Sequence, residues 1–145
     1  ATAVGADLSS AALEIANLNA GKHDVSKRLQ LIHSDVFANV SDSGFDLIVA
    51  NPPYIPTMDI ETLQPEVSDF EPRSALDGGS DGLDIVRRIV DGSAEKLASG
   101  GYLLMEIGVS QAEKAAALFG HSSWSSVKFL RDLQNIERIV SAVRI

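Results

Sequence analysis

The chain has 145 residues, 12 basic and 20 acidic side chains, a net charge of -8 and no cysteine. This length suits one domain, and the lack of cysteine excludes a disulfide scaffold, a thiolate nucleophile and cysteine-based metal sites. The acidic balance argues against tight non-specific binding to nucleic acid, and no apolar run approaches the ~20 residues of a membrane span, so we expect a cytoplasmic domain.

The first third of the chain predicts two strands separated by a helix. Residues 2–6 form a short apolar run that predicts a buried strand closed by Asp7. Ser9 or Ser10 can cap the following helix, which we expect to end at Gly21. Its apolar residues suit packing against a sheet: Ala12, Leu13, Ile15, Ala16 and Ala20. A second strand is predicted over residues 29–33, followed by Asp35.

The next elements are a third strand and a long loop. Residues 45–50 predict a strand that is apolar enough to be buried on both faces, and Asn51-Pro52-Pro53-Tyr54 ends it because proline has no N–H for a sheet. Residues 55–82 are rich in proline, glycine and acids and predict an irregular segment. Loops of this length usually serve as lids or binding loops.

The rest of the chain continues the alternation of helices and strands. The predicted elements are a helix over 83–97 stopped by Gly100-Gly101, a strand over 102–107, a helix over 111–119, and strands over 127–130 and 139–143 joined by a turn at 132–136. Strands separated by helices pair in parallel through right-handed crossovers. We therefore predict an α/β fold of one domain, residues 1–145.

Polar side chains follow three of the predicted strands. Asp7, Asp35 and Asn51 each come just after a strand end. Ligands of open α/β sheets bind at the carboxyl ends of the strands. We therefore expect these three side chains to converge on one binding site.

The tetrapeptide Asn51-Pro52-Pro53-Tyr54 is the most specific feature. The Asn51 carboxamide and the Pro52 carbonyl offer two acceptors, and Tyr54 offers a ring. Two acceptors beside a ring suit a planar NH2 group, whose nitrogen becomes a better nucleophile when both its hydrogens are held. Catalysis would then rest on positioning and electrostatics. The alternative is a plain proline turn after a strand.

The two aspartates have alternative interpretations. Asp7 is either an acid that complements the helix dipole or an acceptor for both hydroxyls of a ribose. Asp35 either binds an adenine amino group or caps a turn. Their position beside Asn51 in the predicted sheet favours the binding roles.

The remaining polar candidates are weaker. The glycine-rich residues 78–82 follow no strand and predict a turn, because a phosphate-binding loop would follow one. Arg87 and Arg88 are expected on a solvated helix face, and Glu106 either lines the site or is buried with a partner. The histidines lack metal-ligand spacing, so we expect structural or surface roles and no metal: His23, His33 and His121.

The combined motifs resemble a known family. They are the tetrapeptide at 51–54, Phe70-Glu71-Pro72-Arg73, Ala75-Leu76, Gly78-Gly79, Asp81-Gly82-Leu83-Asp84 and Glu106-Ile107-Gly108. Together they look like the protein-glutamine N5-methyltransferases of peptide chain release factors, the HemK/PrmC family. The resemblance implies a Rossmann-like fold with a mostly parallel sheet and helices on both faces. It also implies S-adenosylmethionine as cofactor and the glutamine of a release factor's Gly-Gly-Gln motif as substrate.

The resemblance assigns roles to the candidate residues. Asp7 would hold the ribose of the cofactor, Asp35 its adenine end, and Asn51 would lie at both cofactor and substrate. Asn51 and the Pro52 carbonyl would bind the substrate amide within the rigid Pro52-Pro53 backbone, with Tyr54 against the amide.

The chain also departs from the family pattern. Family members carry a central strand and a glycine-rich loop before the position of Ala1, and an N-terminal helical domain; this chain begins without Met inside an apolar stretch. We expect a piece of a longer protein that binds cofactor weakly and is nearly inactive alone. A missing central strand is also expected to leave two unpaired sheet edges.

Three other functions remain open at this point. An adenine-N6 nucleic-acid methyltransferase shares the tetrapeptide, but the charge of -8 and the motifs over 70–84 argue against it. A ribosomal-protein glutamine methyltransferase would differ only in the protein that carries the amide. A truncated, non-catalytic module is the third alternative.

Overall fold

The computed structural model describes residues 1–120 and 122–145. The expected role of His121 lies outside the described residues. The contacts group the chain into a first unit, Ala1–Asp42, and a second unit, Ser43–Ile145. Over the described part of the chain, no helix has both the length and the apolar character needed to cross a membrane.

The first unit is a parallel strand pair with one helix. Strand β1, Ala3–Asp7, pairs in parallel with β2, Leu29–His33, and helix α1, Ser10–Lys22, packs on both. The predicted strands and cap are confirmed: the Ser9 hydroxyl accepts a hydrogen bond from the Ala12 N–H at 3.2 Å. The helix runs one residue past Gly21, the predicted end.

The packing of the first unit differs from the expectation. β1 is not a buried strand, since its residues are half-buried or exposed. On α1, Ile15 is 59% exposed, and only a narrow stripe faces the strands: Leu13, Ala16 and Ala20. A sheet of two strands covers only a narrow strip of a helix, so the broad apolar face of α1 cannot all be buried.

The second unit contains a four-stranded sheet of order β3-β4-β6-β5. Its strands are β3, Phe45–Ala50; β4, Leu97–Glu106; β5, Trp124–Arg131; and β6, Glu137–Arg144. β3 is parallel to β4, as predicted, whereas β6 is antiparallel to both β4 and β5. The predicted turn at 132–136 is too short for a crossover, so β5 and β6 form a hairpin.

The segment after β3 is more regular than the predicted long loop. It contains a 3₁₀ turn, Thr57–Thr62, and two short helices, α2, Pro65–Ser68, and α3, Arg73–Leu76. Ile55 forms a parallel β-bridge with Asp77. The expectation of an irregular segment is therefore wrong in part, because single helical turns are too short to show a period in the sequence.

The core of the second unit lies between β4 and helix α4, Asp84–Lys96. Val86 and Val90 on the helix and Leu103 on the strand are 0% exposed. Each such side chain stabilises the fold by roughly 1.5–3 kcal/mol relative to an exposed one. Packing against α4 therefore fixes the position of β4 and of the residues that follow it.

Strand β3 is an edge strand. Val49 is 69% and Leu47 50% exposed, so the expectation that β3 is buried on both faces is wrong. Within the described residues, β3 pairs with β4 alone, and β1 pairs with β2 alone. These open edges agree with the expected unpaired sheet edges.

The element ends of the second unit also need correction. Gly100 and Gly101 do not stop α4, because they lie inside β4. Gly100 has φ +79°, and the β3–β4 register shifts beside it, while a Cβ at Gly101 would lie 2.8 Å from the Phe45 carbonyl oxygen. The pair therefore allows a bulge and a close strand approach. Helix α5 is shorter than predicted, Ala112–Ala117.

Candidate active site

The residues predicted to bind a planar NH2 group follow β3 directly. Asn51 is exposed, whereas Pro52 is buried, and Pro53 and Tyr54 are half-buried. In the part of the chain that the structure describes, no side chain or backbone group is hydrogen-bonded to the Asn51 carboxamide. This carboxamide therefore keeps its acceptor and donor groups for a ligand.

The Tyr54 side chain is held by two charged residues. Its hydroxyl donates a hydrogen bond to Glu106 Oε1 at 2.9 Å and accepts one from Arg138 Nη2 at 2.8 Å. Arg138 also donates to Glu106 Oε1 at 2.8 Å. The guanidinium carbon lies 5.2 Å from the centre of the Tyr54 ring. The ring is therefore fixed by hydrogen bonds at its hydroxyl and a cation–π contact.

The electrostatics of this cluster favour a protonated Tyr54 and a charged Arg138. Burial, and then the hydrogen bond to Glu106, raises the pKa of the Tyr54 phenol above its usual range. Burial opposes the charge of Arg138, but the hydrogen bonds and charge interactions with Glu106 and Tyr54 together outweigh it, so the pKa of Arg138 is raised. Tyr54 is therefore a neutral, oriented ring and not a proton acceptor at physiological pH.

Of the two open interpretations of Glu106, burial with a partner is realised in part, because Glu106 is half-buried and paired with Arg138, whereas its place in the site stays a prediction. Arg138 was missed, since it lies just before the predicted strand of 139–143. The only sequence signal is that Arg138 is a charged residue beside an apolar run. In the structure its carbonyl accepts from the Ile107 N–H at 2.9 Å. Sequence alone does not reveal that it lies opposite Glu106.

A second anchor binds the backbone of Tyr54. Gln111 is 7% exposed, and its Nε2 donates to the Tyr54 carbonyl at 2.8 Å and to the Gly82 carbonyl at 3.4 Å. Its Oε1 accepts from the Gly108 N–H at 2.7 Å. The sequence predicts Gln111 as the first residue of a helix, whereas in the structure it lies just before α5.

The segment after the tetrapeptide is held by Asp77. Its carboxylate accepts hydrogen bonds from the Thr57 hydroxyl at 2.6 Å and the Gly79 N–H at 3.0 Å. The Thr57 hydrogen bond is the main cause that lowers the pKa of Asp77. Ile55 donates to the Leu76 carbonyl at 3.0 Å. These contacts join the chain just past Tyr54 to the glycine-rich region.

The glycine-rich region over 78–82 is a turn, as predicted. Gly79 has φ +90° and Gly82 has φ +76°. The expectation for Arg87 and Arg88 is confirmed: Arg88 is exposed, and the Arg87 side chain is 41% exposed. Arg87 also binds Asp81 at 2.5 Å and Asp84 at 3.0 Å. The hydrogen bond from Arg87 lowers the pKa of Asp81. The turn is therefore attached to the first turns of α4.

In the first unit, Asp7 ends β1 and lies opposite His33 in the strand register. Its Oδ1 accepts from the Ser9 N–H at 2.7 Å, and its carbonyl accepts from the Ser34 N–H at 3.0 Å. One carboxylate oxygen of Asp7 therefore binds the backbone at the start of α1, where the alternative interpretation places this acid. The side chain is exposed, so a ligand can reach it.

Asp35 lies two residues past the end of β2, in a loop organised by Ser34. The Ser34 hydroxyl, 2% exposed, donates to the Val36 carbonyl at 2.9 Å and accepts from the Asn39 N–H at 3.0 Å. Asp35 is exposed, and its carbonyl accepts from Ala38 in a turn. The structure brings Asp7 and Asp35 to the same end of one parallel pair. Their convergence with Asn51 stays a prediction.

The chain is similar to known methyltransferases. A family model described as "Methyltransferase small domain" matches residues 1–64. A "Release factor glutamine methyltransferase" from Geobacter sulfurreducens is 45% identical over 97% of this chain and 49% of that protein. The protein of the same name from Caulobacter vibrioides is 42% identical over 99% of this chain and 50% of that protein.

Other relatives extend the comparison. A "Ribosomal protein uL3 glutamine methyltransferase" from Bradyrhizobium diazoefficiens is 44% identical over 74% of this chain and 34% of that protein. Among solved structures, a ribosomal protein L11 methylase from Lactobacillus delbrueckii subsp. bulgaricus has a TM-score of 0.69 at 17% identity. That match covers 99% of this chain and 57% of the other.

The element order and the structural match define the fold. The chain has the α/β fold of S-adenosylmethionine-dependent methyltransferases. Its sequence is 42–45% identical, over nearly its whole length, to proteins named release factor glutamine methyltransferase. It spans about half the length of the curated relatives it matches.

Proposed function

We propose that the protein transfers a methyl group from S-adenosylmethionine to the side-chain amide nitrogen of a glutamine in a peptide chain release factor. The observation that carries this proposal is the tetrapeptide after β3, with an exposed Asn51 carboxamide and the fixed ring of Tyr54 three residues later. Relatives at 42–45% identity are named for this activity.

The substrate amide binds through its two N–H groups. The Asn51 carboxamide oxygen and the Pro52 carbonyl accept one hydrogen bond each, and the Tyr54 ring lies against the amide plane. Holding both hydrogens builds negative charge on a nitrogen whose lone pair is otherwise delocalised. The cofactor, when bound, supplies an electrophilic methyl group. Because Tyr54 stays neutral, the proton lost after transfer goes to solvent.

The cofactor binds through the strand-end carboxylates. Asp7 accepts hydrogen bonds from the ribose hydroxyls, Asp35 binds the adenine end, and Asn51 contacts both cofactor and substrate. The exposure of Asp7 and Asp35 at one end of the β1–β2 pair supports these roles. Carboxylates that accept from hydroxyls form charge-assisted hydrogen bonds, which are about twice as strong as neutral ones.

The first experiment is a transfer assay with the full-length protein and isotope-labelled S-adenosylmethionine. We expect label on an intact release factor and none on a release factor whose Gly-Gly-Gln glutamine is replaced by alanine. Mass spectrometry of the product locates the methyl group. Label on an adenine-containing oligonucleotide, and not on the release factor, would contradict the proposal.

A ribosomal protein is the second candidate substrate, because a relative named as a uL3 glutamine methyltransferase is 44% identical over 74% of the chain. The same assay with the ribosomal protein decides between the two. In either case the chemistry at Asn51 is unchanged.

The proposal includes the organisation and location of the protein. Residues 1–145 form one partial catalytic domain, which acts in the cytoplasm because release factors act there. The partner is a protein, and we propose neither a membrane nor a nucleic-acid partner. Titration calorimetry of the 145-residue chain with S-adenosylmethionine, beside the full-length protein, tests whether this segment binds cofactor weakly when alone.

A further inference from the structure

Gln111 joins three separate segments of the second unit. Its carboxamide donates to the carbonyls of Tyr54 and Gly82 and accepts from the Gly108 N–H. The side chain is 7% exposed, and no charged group takes part in these bonds. A buried amide with both ends bonded fixes the relative positions of its partners, because losing any bond leaves a buried polar group unpaired.

The space around Gln111 is too tight for adjustment. Gly82 has φ +76°, and a Cβ placed there would lie 2.4 Å from the Tyr54 carbonyl oxygen and 2.5 Å from Gln111 Nε2. The glycine therefore lets the turn approach the tetrapeptide backbone closely. The Tyr54 carbonyl is therefore hydrogen-bonded to Gln111 beside a turn that leaves no room for a side chain at residue 82.

We propose that Gln111 is a positioning residue for the substrate-amide site, a role that rests on the proposed function. The Tyr54 carbonyl lies two residues after the Pro52 carbonyl, and the intervening Pro53 has a fixed φ angle. Gln111 holds the Tyr54 carbonyl, while Glu106 and Arg138 hold the Tyr54 hydroxyl. With both ends of Tyr54 fixed, the Pro52 carbonyl keeps its direction towards the substrate N–H.

The donor at Gln111 Nε2 is the group that matters. The variant Gln111→Glu keeps an oxygen for the Gly108 N–H but replaces the donor with an oxygen that faces two carbonyls. A carboxyl group in such a place has a raised pKa, and only its protonated form can donate to Tyr54. The variant therefore separates the Tyr54 contact from the Gly108 contact.

The experiment measures kcat and KM of the full-length protein with its amide substrate between pH 6 and 9. We expect Gln111→Ala to lower kcat about 100-fold with little change in KM for S-adenosylmethionine, because a misplacement of about 1 Å costs that much. We expect Gln111→Glu to lose as much at pH 9 and to recover about tenfold, relative to wild type at equal pH, on moving to pH 6. The control is Gln134→Ala, at an exposed residue of the β5–β6 turn.

A second measurement does not depend on methyl transfer. Amide hydrogen exchange at Gly108 is expected to stay slow in Gln111→Glu and to become faster in Gln111→Ala, since only the first keeps the acceptor. If the wild type methylates no protein amide, the proposed function fails, and this exchange pattern still reports on the anchor. Gln111→Ala with kcat within twofold of wild type, or Gln111→Glu with the same fractional loss at every pH, would overturn the inference.

Discussion

The two groups of candidate site residues are held in different ways. In the second unit, Tyr54 is bonded to residues 52, 57 and 84 positions away in sequence, namely Glu106, Gln111 and Arg138. In the first unit, Asp7 is bonded through its carboxylate to Ser9, two positions away. The proposed substrate side is thus fixed by tertiary contacts, whereas the Asp7 carboxylate, on the proposed cofactor side, is held by a local turn.

This difference teaches where the chemistry needs rigidity. Under the proposed function, a planar NH2 group is activated only when its acceptors point in set directions, which agrees with the several contacts that hold Tyr54. A ribose needs acceptors of the right charge, and the proposed exposed carboxylates at a strand end would supply them with less support. The comparison predicts that changes at the clamp alter kcat, whereas changes at the strand-end carboxylates alter cofactor affinity.

Asn51→Ala is expected to have the largest effect. It removes one of the two acceptors of the proposed amide site and leaves the β3 backbone in place. We expect kcat to fall about 1,000-fold, the upper cost of losing one group that stabilises a transition state. Titration calorimetry checks that S-adenosylmethionine still binds. Asn17→Ala, at an exposed position of α1, is the matched control, and retained turnover in Asn51→Ala would remove the assigned role.

Asp7→Asn tests the other side of the comparison. The carboxamide oxygen still accepts from the Ser9 N–H, so the start of α1 is kept. We expect the Kd for S-adenosylmethionine to rise roughly 10- to 100-fold, since hydrogen bonds to charged groups contribute ~1.5–3 kcal/mol. At saturating cofactor, kcat stays near wild type. The control is Asp42→Asn, and an unchanged Kd in Asp7→Asn would show that Asp7 does not bind the ribose.

Arg138→Met sharpens the role of the clamp. It removes the cation above the Tyr54 ring and leaves the Glu106 carboxylate beside the phenol, so the pKa of Tyr54 rises further. We expect kcat to fall about tenfold, because a cation–π contact and one charge-assisted bond hold the ring. The pKa is measured by ultraviolet titration as the difference from Tyr54→Phe. Arg131→Met, an exposed arginine of β5, is the control.

The direction of the Tyr54 shift also has a consequence for stability. The folded-state pKa lies above the usual value of 10.0, so the folded protein holds the phenolic proton more tightly than the unfolded chain. The stabilisation of the folded protein that comes from this raised pKa is fully present below pH 10 and is lost as the pH rises through the folded-state pKa of Tyr54. In Arg138→Met the folded-state pKa of Tyr54 is still higher, so the loss of stability begins at the same pH and extends to higher pH. The free energy of unfolding of the wild type and of Arg138→Met, measured at pH 8–12, compares the two proteins.

Sequence reasoning succeeded where the signal is local. The apolar run at 45–50 and its proline stop predicted β3 with both ends correct, and Ser9 predicted the start of α1. These features depend on neighbours within four residues. The chemical role of the tetrapeptide also rests on a local pattern, and it stays a prediction.

Sequence reasoning failed where distant residues meet. Nothing within a few residues of Gln111 or Arg138 indicates that each is bonded to Tyr54, because the pairing is made by the β4–β6 register and by the turn at Gly82. The exposure of Leu47 was also missed, since apolarity shows what a strand can bury and not which neighbours cover it.

The smallest expected effect is a change in the free energy of unfolding, and its test compares one buried serine hydroxyl in each unit. Ser34, in the first unit, is 2% exposed with two hydrogen bonds. Ser93, in α4, is 0% exposed, and its hydroxyl has no hydrogen-bond partner within the described residues. We expect Ser34→Ala to lower the free energy of unfolding by about 1–2 kcal/mol, and Ser93→Ala to raise it by about 0.5–1 kcal/mol, because alanine leaves no unpaired hydroxyl and favours a helix. Urea unfolding of both variants gives the two signs. A loss of stability in Ser93→Ala would mean that the Ser93 hydroxyl is hydrogen-bonded in solution. The hydroxyls of both buried serines would then stabilise the fold.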